Sequence, residues 1–289
     1  WSIFSVRFPE PRILAALALA AGLPLQALAG AESVRIEIVA RIREQFPSLT
    51  PAELASGSAA FDADRQALAE RNTPAPGAAE AIQAGKRIWN RKFANGRSLA
   101  GCFPNGGKRI AAVYPQYDRR VKRVLSLETA VNQCLKTHGE PLLDAGDPDG
   151  MGVVLAYLRS LSEGRKISVR VSSPQAEERF EEGRRLYFTR MGQRNFACAS
   201  CHVNHAGRFL GDTAIPAPVG AAAQWPQLRD GRALTLQMRV RECLERMGAA
   251  PFPAGSDELA HLEYFLSYLS NGIPIRANVW RPALPPGHL

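Results

Sequence analysis

Long apolar runs are scarce in this sequence of 289 residues, and the one near its start is short. It covers residues 13–25, fewer than the roughly 20 residues that a membrane-spanning helix needs, and no later stretch is a better candidate. We therefore predict no membrane span. Arg7 and Arg12 precede the run and Ala27-Leu28-Ala29 follows it, which is the layout of a secretory signal peptide. A membrane anchor is the alternative interpretation.

Cysteines are also few, and their number is odd: Cys102, Cys134, Cys198, Cys201 and Cys243. A signal peptide implies export to the periplasm, an oxidising compartment in which cysteines tend to pair. An odd count leaves one thiol without a cysteine partner.

The predicted mature chain is basic. Cleavage after residue 29 removes two arginines and one glutamate, so that 260 residues remain and the formal charge falls from +9 to +8. A chain of this length is long enough to form two domains. A positive charge suits an anionic ligand or an acidic partner, and export argues against nucleic acid as that partner; the charge could also serve solubility alone.

Three groups of residues occur twice in the same order, which indicates an internal duplication. The first group is spaced by three, four and four positions, which is typical of an amphipathic helix. In the first copy the groups are Ile82, Gly85, Trp89, Phe93; Leu127, Val131, Cys134; and Val154, Tyr157, Leu158, Leu161. In the second copy they are Phe180, Gly183, Tyr187, Met191; Leu236, Val240, Cys243; and Leu262, Phe265, Leu266, Leu269. We predict an all-α fold with two tandem helical domains.

The duplication also suggests where the domains begin and end. We expect a signal peptide at 1–29, a helical leader at 30–75, the first domain at 76–170 and the second at 171–289. The joint lies near Ser172-Ser173-Pro174, and three prolines after residue 281 mark an irregular C-terminal tail.

The two copies differ in their chemistry. The second contains a Cys-x-x-Cys-His motif from Cys198 through Cys201 to His202, whereas the first has only Cys102 at that place. Two thiols at this spacing form thioethers with the two vinyl groups of one haem, and the adjacent histidine binds the iron. A thioredoxin-like pair would need a preceding strand and a zinc site a second ligand pair, and we find neither. We predict one haem c, bound by the second of two cytochrome c-like domains.

Cys102 and Cys134 remain in the haem-less domain. Oxidation could join them and close a loop of about 33 residues, which would stabilise the fold by roughly 3–4 kcal/mol. A redox-active pair is the alternative, although the spacing is not Cys-x-x-Cys.

The sixth coordination position of the iron has several candidates, which are Met191, Met238, Met247, His205, His261 and Cys243. Methionine is the ligand in many electron carriers and stays open. His205 is too close in sequence to His202 to reach the opposite side of the iron easily. His261 lies on the last predicted helix. The cysteine is the thiol left over from the count, 41 residues after His202.

The surroundings of Cys243 suggest a chemical role. Residues 229–246 contain five arginines and three acidic residues. Arg239 lies four positions before Cys243 and therefore on the same face of a helix. Its guanidinium would lower the pKa of the thiol and could bind a tetrahedral anion through two hydrogen bonds. A solvated, charged helix explains the other arginines equally well.

With these features the mature chain resembles the SoxA family, the catalytic cytochrome subunits of the SoxAX complex of bacterial sulfur oxidation. The resemblance rests on the duplicated plan, the motif at 198–202, and the segment from Arg239 to Cys243. Some members carry haem in both domains. This sequence lacks the first motif and so resembles the single-haem type, in which Cys102 and Cys134 would form a disulfide.

The resemblance implies an L-cysteine S-thiosulfotransferase. A SoxA subunit pairs with SoxX, a small monohaem cytochrome, and together they join thiosulfate to a cysteine of the carrier protein SoxYZ. Two electrons leave through haem to a c-type cytochrome. The resemblance makes Cys243 both an axial haem ligand and the catalytic sulfur, carried as a persulfide, and makes Arg239 the residue that binds the substrate.

Two other functions compete. One is a plain periplasmic monohaem electron carrier with a methionine ligand, for which the duplication is unnecessary. The other is a haem sensor or structural subunit in which Cys243 binds iron but touches no substrate, and the arginine-rich helix argues against it.

Overall fold

The computed structural model describes residues 30–281, so that the predicted signal peptide and the end of the tail lie outside the described residues. The helices in this range are α1 (Ala31–Gln45), α2 (Pro51–Leu54), α3 (Ala63–Arg71), α4 (Ala78–Asn90), α5 (Leu99–Cys102), α6 (Leu127–Thr137), α7 (Val153–Ser160), α8 (Pro174–Phe188), α9 (Cys198–His202), α10 (Leu236–Arg246) and α11 (Asp257–Leu269). The strands are β1 (Gln116–Asp118), β2 (Arg123–Leu125), β3 (Phe209–Leu210), β4 (Thr213–Ala214), β5 (Gln227–Arg229), β6 (Arg232–Leu234) and β7 (Val279–Trp280). None of these helices is long and apolar enough to cross a membrane.

Two crossed pairs of helices form the frame of the molecule, one in each half. Helix α4 crosses α7, and α8 crosses α11. At each crossing a glycine lies against backbone. A Cβ atom on Gly85 would be 1.9 Å from the carbonyl oxygen of Val153, and one on Gly183 would be 2.1 Å from that of His261. Because only glycine permits this approach, the two halves share one packing constraint at equivalent positions, as the sequence repeat predicts.

Hydroxyl side chains fix where the helices of both halves begin. Ser126 caps α6 and Thr235 caps α10, each accepting a hydrogen bond of 3.3 Å from the backbone N–H three residues later. Ser173 caps α8 in the same way, and proline fills the first helical position. The helix ends differ from the prediction: Phe93 and Met191, which the periodicity predicts on α4 and α8, lie beyond the last residues of those helices.

Small sheets modify the predicted all-α class, although the fold is mainly helical. An antiparallel hairpin lies at the equivalent place in each half: β1–β2 precedes α6, and β5–β6 precedes α10. Strand β7 adds to β5 in parallel, and β3 pairs with β4. Each strand has only two or three residues. Such strands are too short to show an alternating pattern in the sequence, and periodicity therefore missed them.

The two halves contact each other through equivalent segments. The segment after α7 runs antiparallel to the segment after α11. The N–H of Gly164 donates to the carbonyl of Ile275 at 2.9 Å, and the N–H of Gly272 donates to that of Ile167 at 2.9 Å. Equivalent segments that pair with each other indicate an approximate two-fold relation between the halves, like the isologous contact of a symmetric dimer.

The predicted helical leader packs on the second half. Helix α1 contacts α8 and α11 and buries a stripe of residues spaced three or four apart, which are Ala31, Val34, Ile38 and Ile42. The N–H of Ala31 donates to the carboxylate of Glu177 at 3.0 Å. This bond satisfies one of the free N–H groups at the start of α1 and attaches the leader to α8.

A disulfide links Cys102, the last residue of α5, to Cys134 in α6, with their Cα atoms 6.1 Å apart. Cys134 is buried. The bond therefore crosslinks two short helices inside the first half.

We expect the double variant Cys102→Ser/Cys134→Ser to unfold at lower denaturant concentration. Loss of the crosslink frees the unfolded chain and should lower the free energy of unfolding by roughly 3–4 kcal/mol. Urea unfolding followed by circular dichroism measures this loss, with haem content as the control that should not change. Equal stability of the variant and the parent, or ready thiol labelling of both cysteines in unfolded, unreduced protein, would contradict the crosslink.

Candidate active site

Three of the predicted site residues, Cys198, Cys201 and His202, lie on the short helix α9 and border one cavity of about 280 Å³. The N–H of Ala197 donates to the hydroxyl of Ser200 at 3.1 Å, which fixes the start of the turn. Neither cysteine of α9 is part of a disulfide, and both are half-buried. The turn thus offers two thiols and one imidazole to the same cavity.

His202 is oriented by a backbone carbonyl. Its Nδ1 lies 2.8 Å from the carbonyl oxygen of Pro216. Because a carbonyl only accepts, Nδ1 carries the proton and donates, which assigns the tautomer from the hydrogen bond. Nε2 is therefore left as a lone-pair donor, the usual arrangement of a metal-binding histidine.

Cys243 borders the same cavity as His202 but comes from another helix, α10. Burial raises the pKa of Cys243, but the neighbouring imidazole of His202 and the positive charges of Arg239 and Arg246 outweigh burial, so that the pKa lies below its ordinary value. In contrast, burial raises the pKa of Cys198 to about 12. Cys243 is therefore the thiol prepared to act as a thiolate.

Three arginines of the segment 229–246 border the cavity, namely Arg229, Arg239 and Arg246. The carboxylate of Glu242 accepts from Arg229 at 3.0 Å and from Arg239 at 3.4 Å. One carboxylate thus balances two guanidiniums, and the wall keeps a net positive charge. A small anion would be attracted to this wall.

Other arginines of the same segment are directed elsewhere. The Nε of Arg241 donates to the carbonyl of Phe252 at 3.1 Å, and Arg232 is exposed on β6. Neither belongs to the cavity lining. The structure therefore separates the five arginines, which the sequence could only count, into three at the cavity and two away from it.

The alternative iron ligands are mostly engaged elsewhere. Met247 borders the cavity, whereas the other candidates among the described residues do not, which are Met191, Met238, His205 and His261. The sulfur of Met238 accepts a hydrogen bond of 3.4 Å from the backbone N–H at the cap of α10. His261 pairs with Glu182 at 2.9 Å. Cys243 borders the cavity together with His202, and the imidazole lowers the pKa of its thiol.

The leader supplies a wall of the cavity that sequence reasoning missed. Leu54, Ala55 and Leu68 of the leader line the cavity together with Leu262 and Leu266 of α11. No local pattern in residues 30–75 indicates this contact, because the leader meets the second half only in the folded chain. The walls are largely apolar, with charged groups gathered at particular edges.

The donor set fits haem c. Cys198 and Cys201 have the spacing for two thioethers, and His202 has a free Nε2. Cys243 supplies a second potential ligand close to that imidazole. Apolar walls suit the porphyrin ring. Each part of the attachment chemistry is therefore present in the residues of one cavity.

The corresponding interior of the first half is filled. Trp89, the counterpart of Tyr187 in the repeat, is fully buried, and its ring centroid is 5.0 Å from that of Phe103. A Cβ atom on Gly107 would lie 2.7 Å from the ring of Trp89 and 2.7 Å from the side chain of Leu158. Side chains thus occupy the region between the helices.

The first half also contains a group of donor atoms. Those of Cys102, Cys134 and His138 lie within 4.8 Å of one another. Because the two sulfurs are bonded to each other, only the imidazole of His138 could bind a metal ion. Its Nδ1 is 3.0 Å from the amide nitrogen of Asn95. This group does not form a metal site while the disulfide is intact.

Known proteins match the chain over most of its length. The family described as "SoxA/TsdA, cytochrome c domain" matches residues 84–167 and 182–275, once in each half. A relative from Chlorobaculum tepidum, named L-cysteine S-thiosulfotransferase subunit SoxA, is 35% identical over 233 residues, covering 80% of this chain and 81% of the relative. A relative of the same name from Allochromatium vinosum is 34% identical over 271 residues, covering 91% of this chain and 95% of the relative.

A solved structure is also similar. The crystal structure of SoxXA from P. pantotrophus contains a chain that aligns with a TM-score of 0.65 and 27% identity. The alignment covers 71% of this chain and 78% of that chain. A cytochrome c domain of this family carries covalently bound haem, so haem c is the cofactor of this chain. With one family match in each half and relatives that align over four fifths or more of its length, the chain belongs to the SoxA/TsdA cytochrome c family.

Proposed function

We propose that this chain is an L-cysteine S-thiosulfotransferase of the SoxA type, which joins thiosulfate oxidatively to a cysteine of a SoxYZ-like carrier protein. The observation that carries the proposal is the position of Cys243, which lies beside His202 and among three arginines in one cavity. A simple electron carrier has no need of a cysteine with a lowered pKa in an anion-attracting wall. The similarity to two SoxA subunits of L-cysteine S-thiosulfotransferases supports the same activity.

A single haem in the second half is part of the proposal. Cys198 and Cys201 would hold it by thioethers, and His202 and Cys243 would ligate its iron. The first half lacks the motif, and Trp89 fills its interior. When bound, the haem supplies a one-electron acceptor next to the reacting sulfur.

The residues of the site would act on thiosulfate as follows. Arg239 binds the dianion through charge-assisted hydrogen bonds, with Arg229 and Arg246 adding positive charge. Glu242 holds two of these guanidiniums in place. Cys243, carried as a persulfide, would form a transient sulfur–sulfur bond with thiosulfate, and its persulfide would be regenerated when the carrier cysteine takes over the thiosulfate group. The overall reaction forms one sulfur–sulfur bond between thiosulfate and the carrier cysteine and releases one proton and two electrons.

The partners and location follow from the same proposal. A SoxX-like monohaem cytochrome would form a heterodimer with this chain, a proposal that the similarity to a chain of the SoxXA crystal structure supports. A c-type cytochrome would accept the two electrons in the periplasm. We further propose the division into a signal peptide at 1–29, a leader at 30–75, a haem-less domain at 76–170 and a haem-binding domain at 171–289.

The electron carrier with a methionine ligand is not favoured. The sulfur of Met238 accepts a hydrogen bond at a helix cap and does not border the cavity. Met247 does border it, and this one residue keeps the alternative open to experiment.

The first prediction from this proposal concerns Cys243→Met. A thioether can bind iron but cannot ionise or carry an extra sulfur. The variant should therefore stay six-coordinate, gain the weak far-red band of a methionine-ligated oxidised haem, and lose thiosulfate conjugation. Conjugation is measured by the mass of the carrier protein in an assay with the SoxX-like partner present.

Met247→Leu is the matched control for the competing ligand. It should leave the spectrum of the oxidised haem unchanged, because the sulfur on the iron belongs to Cys243. Normal conjugation by Cys243→Met would exclude the catalytic role of Cys243, and a changed spectrum of Met247→Leu would favour the electron carrier.

The second prediction concerns Arg239→Ala. Loss of a charge-assisted contact should cost about 1.5–3 kcal/mol, which is roughly a 10- to 150-fold fall in kcat/KM for thiosulfate. The haem spectrum should change little. Arg241→Ala is the control, because it removes the same charge from the same helix at a position away from the cavity. An equal loss in both variants would mean that only the overall charge of α10 matters.

A further inference from the structure

Arg281, directly after strand β7, borders the cavity with a guanidinium that has no carboxylate partner among the described residues. Its hydrogen bonds go to neutral oxygens. Nη2 donates to the carbonyl of Ser56 at 2.8 Å and to the side-chain oxygen of Gln224, and Nη1 donates to the carbonyl of Trp280 at 3.2 Å. A guanidinium has five N–H groups, so that two remain for a ligand.

This cation is unfavourably placed without an anion. Burial lowers the pKa of Arg281 to about 10, and no nearby acid opposes that shift. Three other arginines of the cavity do have acidic partners: Arg65 pairs with Asp212 at 3.2 Å, and Arg229 and Arg239 share Glu242. A half-buried guanidinium with only neutral partners is stabilised when a ligand brings a negative charge.

The strand register puts a second guanidinium beside the first. The N–H of Arg281 donates to the carbonyl of Leu228 at 3.0 Å, and β5 runs parallel to β7, so that Arg229 is the neighbour of Arg281 in register. Both side chains border the cavity. The Nε of Arg229 is buried and has no partner among the described residues, because its bonds to Glu242 use Nη1 alone. Two adjacent guanidiniums with free donors match a ligand that carries two carboxylates.

Haem carries two carboxylates, its propionates, on the edge of the porphyrin opposite the vinyl groups. Thioethers at Cys198 and Cys201 would fix the vinyl edge at α9. The hydrogen bonds of Arg281 lead instead to the leader, to the segment before β5 and to β7. We propose that Arg281 binds a haem propionate, with Arg229 beside it as the second donor to that edge. The proposal rests on haem attachment at α9 and is independent of the transferase reaction.

The contact would also explain why the leader covers the cavity. Ser56 belongs to the leader and Gln224 to the second half, and both hold the guanidinium of Arg281. A propionate bound there would join haem, leader and β7 in one network. Because a cation next to a propionate offsets its negative charge, the contact should favour the reduced haem.

The test compares the midpoint potential of Arg281→Gln with that of the parent by spectroelectrochemistry, in the absence of thiosulfate. Glutamine keeps hydrogen-bonding capacity and removes the charge. We expect full haem content, since the thioethers remain, and a shift to a more negative potential. Arg281→Lys keeps the charge and loses the planar fork, so its shift should be smaller. In both variants the propionate bending bands of the resonance Raman spectrum should move.

Arg232→Gln is the matched control, because it removes one arginine from the same sheet at an exposed position on β6. Solvent should screen that charge, and the potential should barely change. A potential of Arg281→Gln no more negative than that of the control, with unmoved propionate bands, would overturn the proposal. If Arg281→Gln does not fold, unmoved propionate bands in Arg281→Lys overturn it. If the purified parent protein contains no haem, that result would instead refute the attachment of haem at α9.

Discussion

The structure depends on a close helix crossing that occurs once in each half. Gly85 and Gly183 allow α4 and α8 to touch the backbone of α7 and α11, and any larger side chain there would collide with a carbonyl oxygen. This contact sets the distance between the helices and with it the space that the rest of each half must enclose. A substitution at either glycine would therefore disturb the whole half rather than one contact.

The two halves use that space differently. In the first, Trp89 fills it and a disulfide crosslinks the neighbouring helices. In the second, Tyr187 borders an open cavity that α9, α10, the leader and β7 surround. The proposed chemistry needs this asymmetry, because a cavity must stay open for a cofactor while its partner half supplies rigid support. Cys243 gains its acidity from the same closeness: burial opposes the thiolate, and the imidazole and arginines around it outweigh burial.

What the sequence could predict followed from spacing. Helical periodicity and the repeat made Gly85 and Gly183 equivalent positions, and the i, i+4 relation put Arg239 and Cys243 on one helix face. In the structure both of these residues border the cavity. The sequence could not predict contacts between distant segments. Ser56, Gln224 and Arg281 are far apart in the chain, and only the folded molecule brings them together. The short strands went unpredicted for a different reason, since two or three residues carry no period.

The proposed chemistry requires a single haem c in the second half, attached at α9, and the intact mass of the purified mature chain tests this most directly. Spectra of the whole protein and of its unreduced peptides report haem count, cleavage site and crosslinks together. We expect the polypeptide from residue 30 plus one haem, with that haem on the peptide containing Cys198 and Cys201, and the peptides of Cys102 and Cys134 linked to each other. A second haem, or a haem on any other peptide, would contradict a single attachment site at α9.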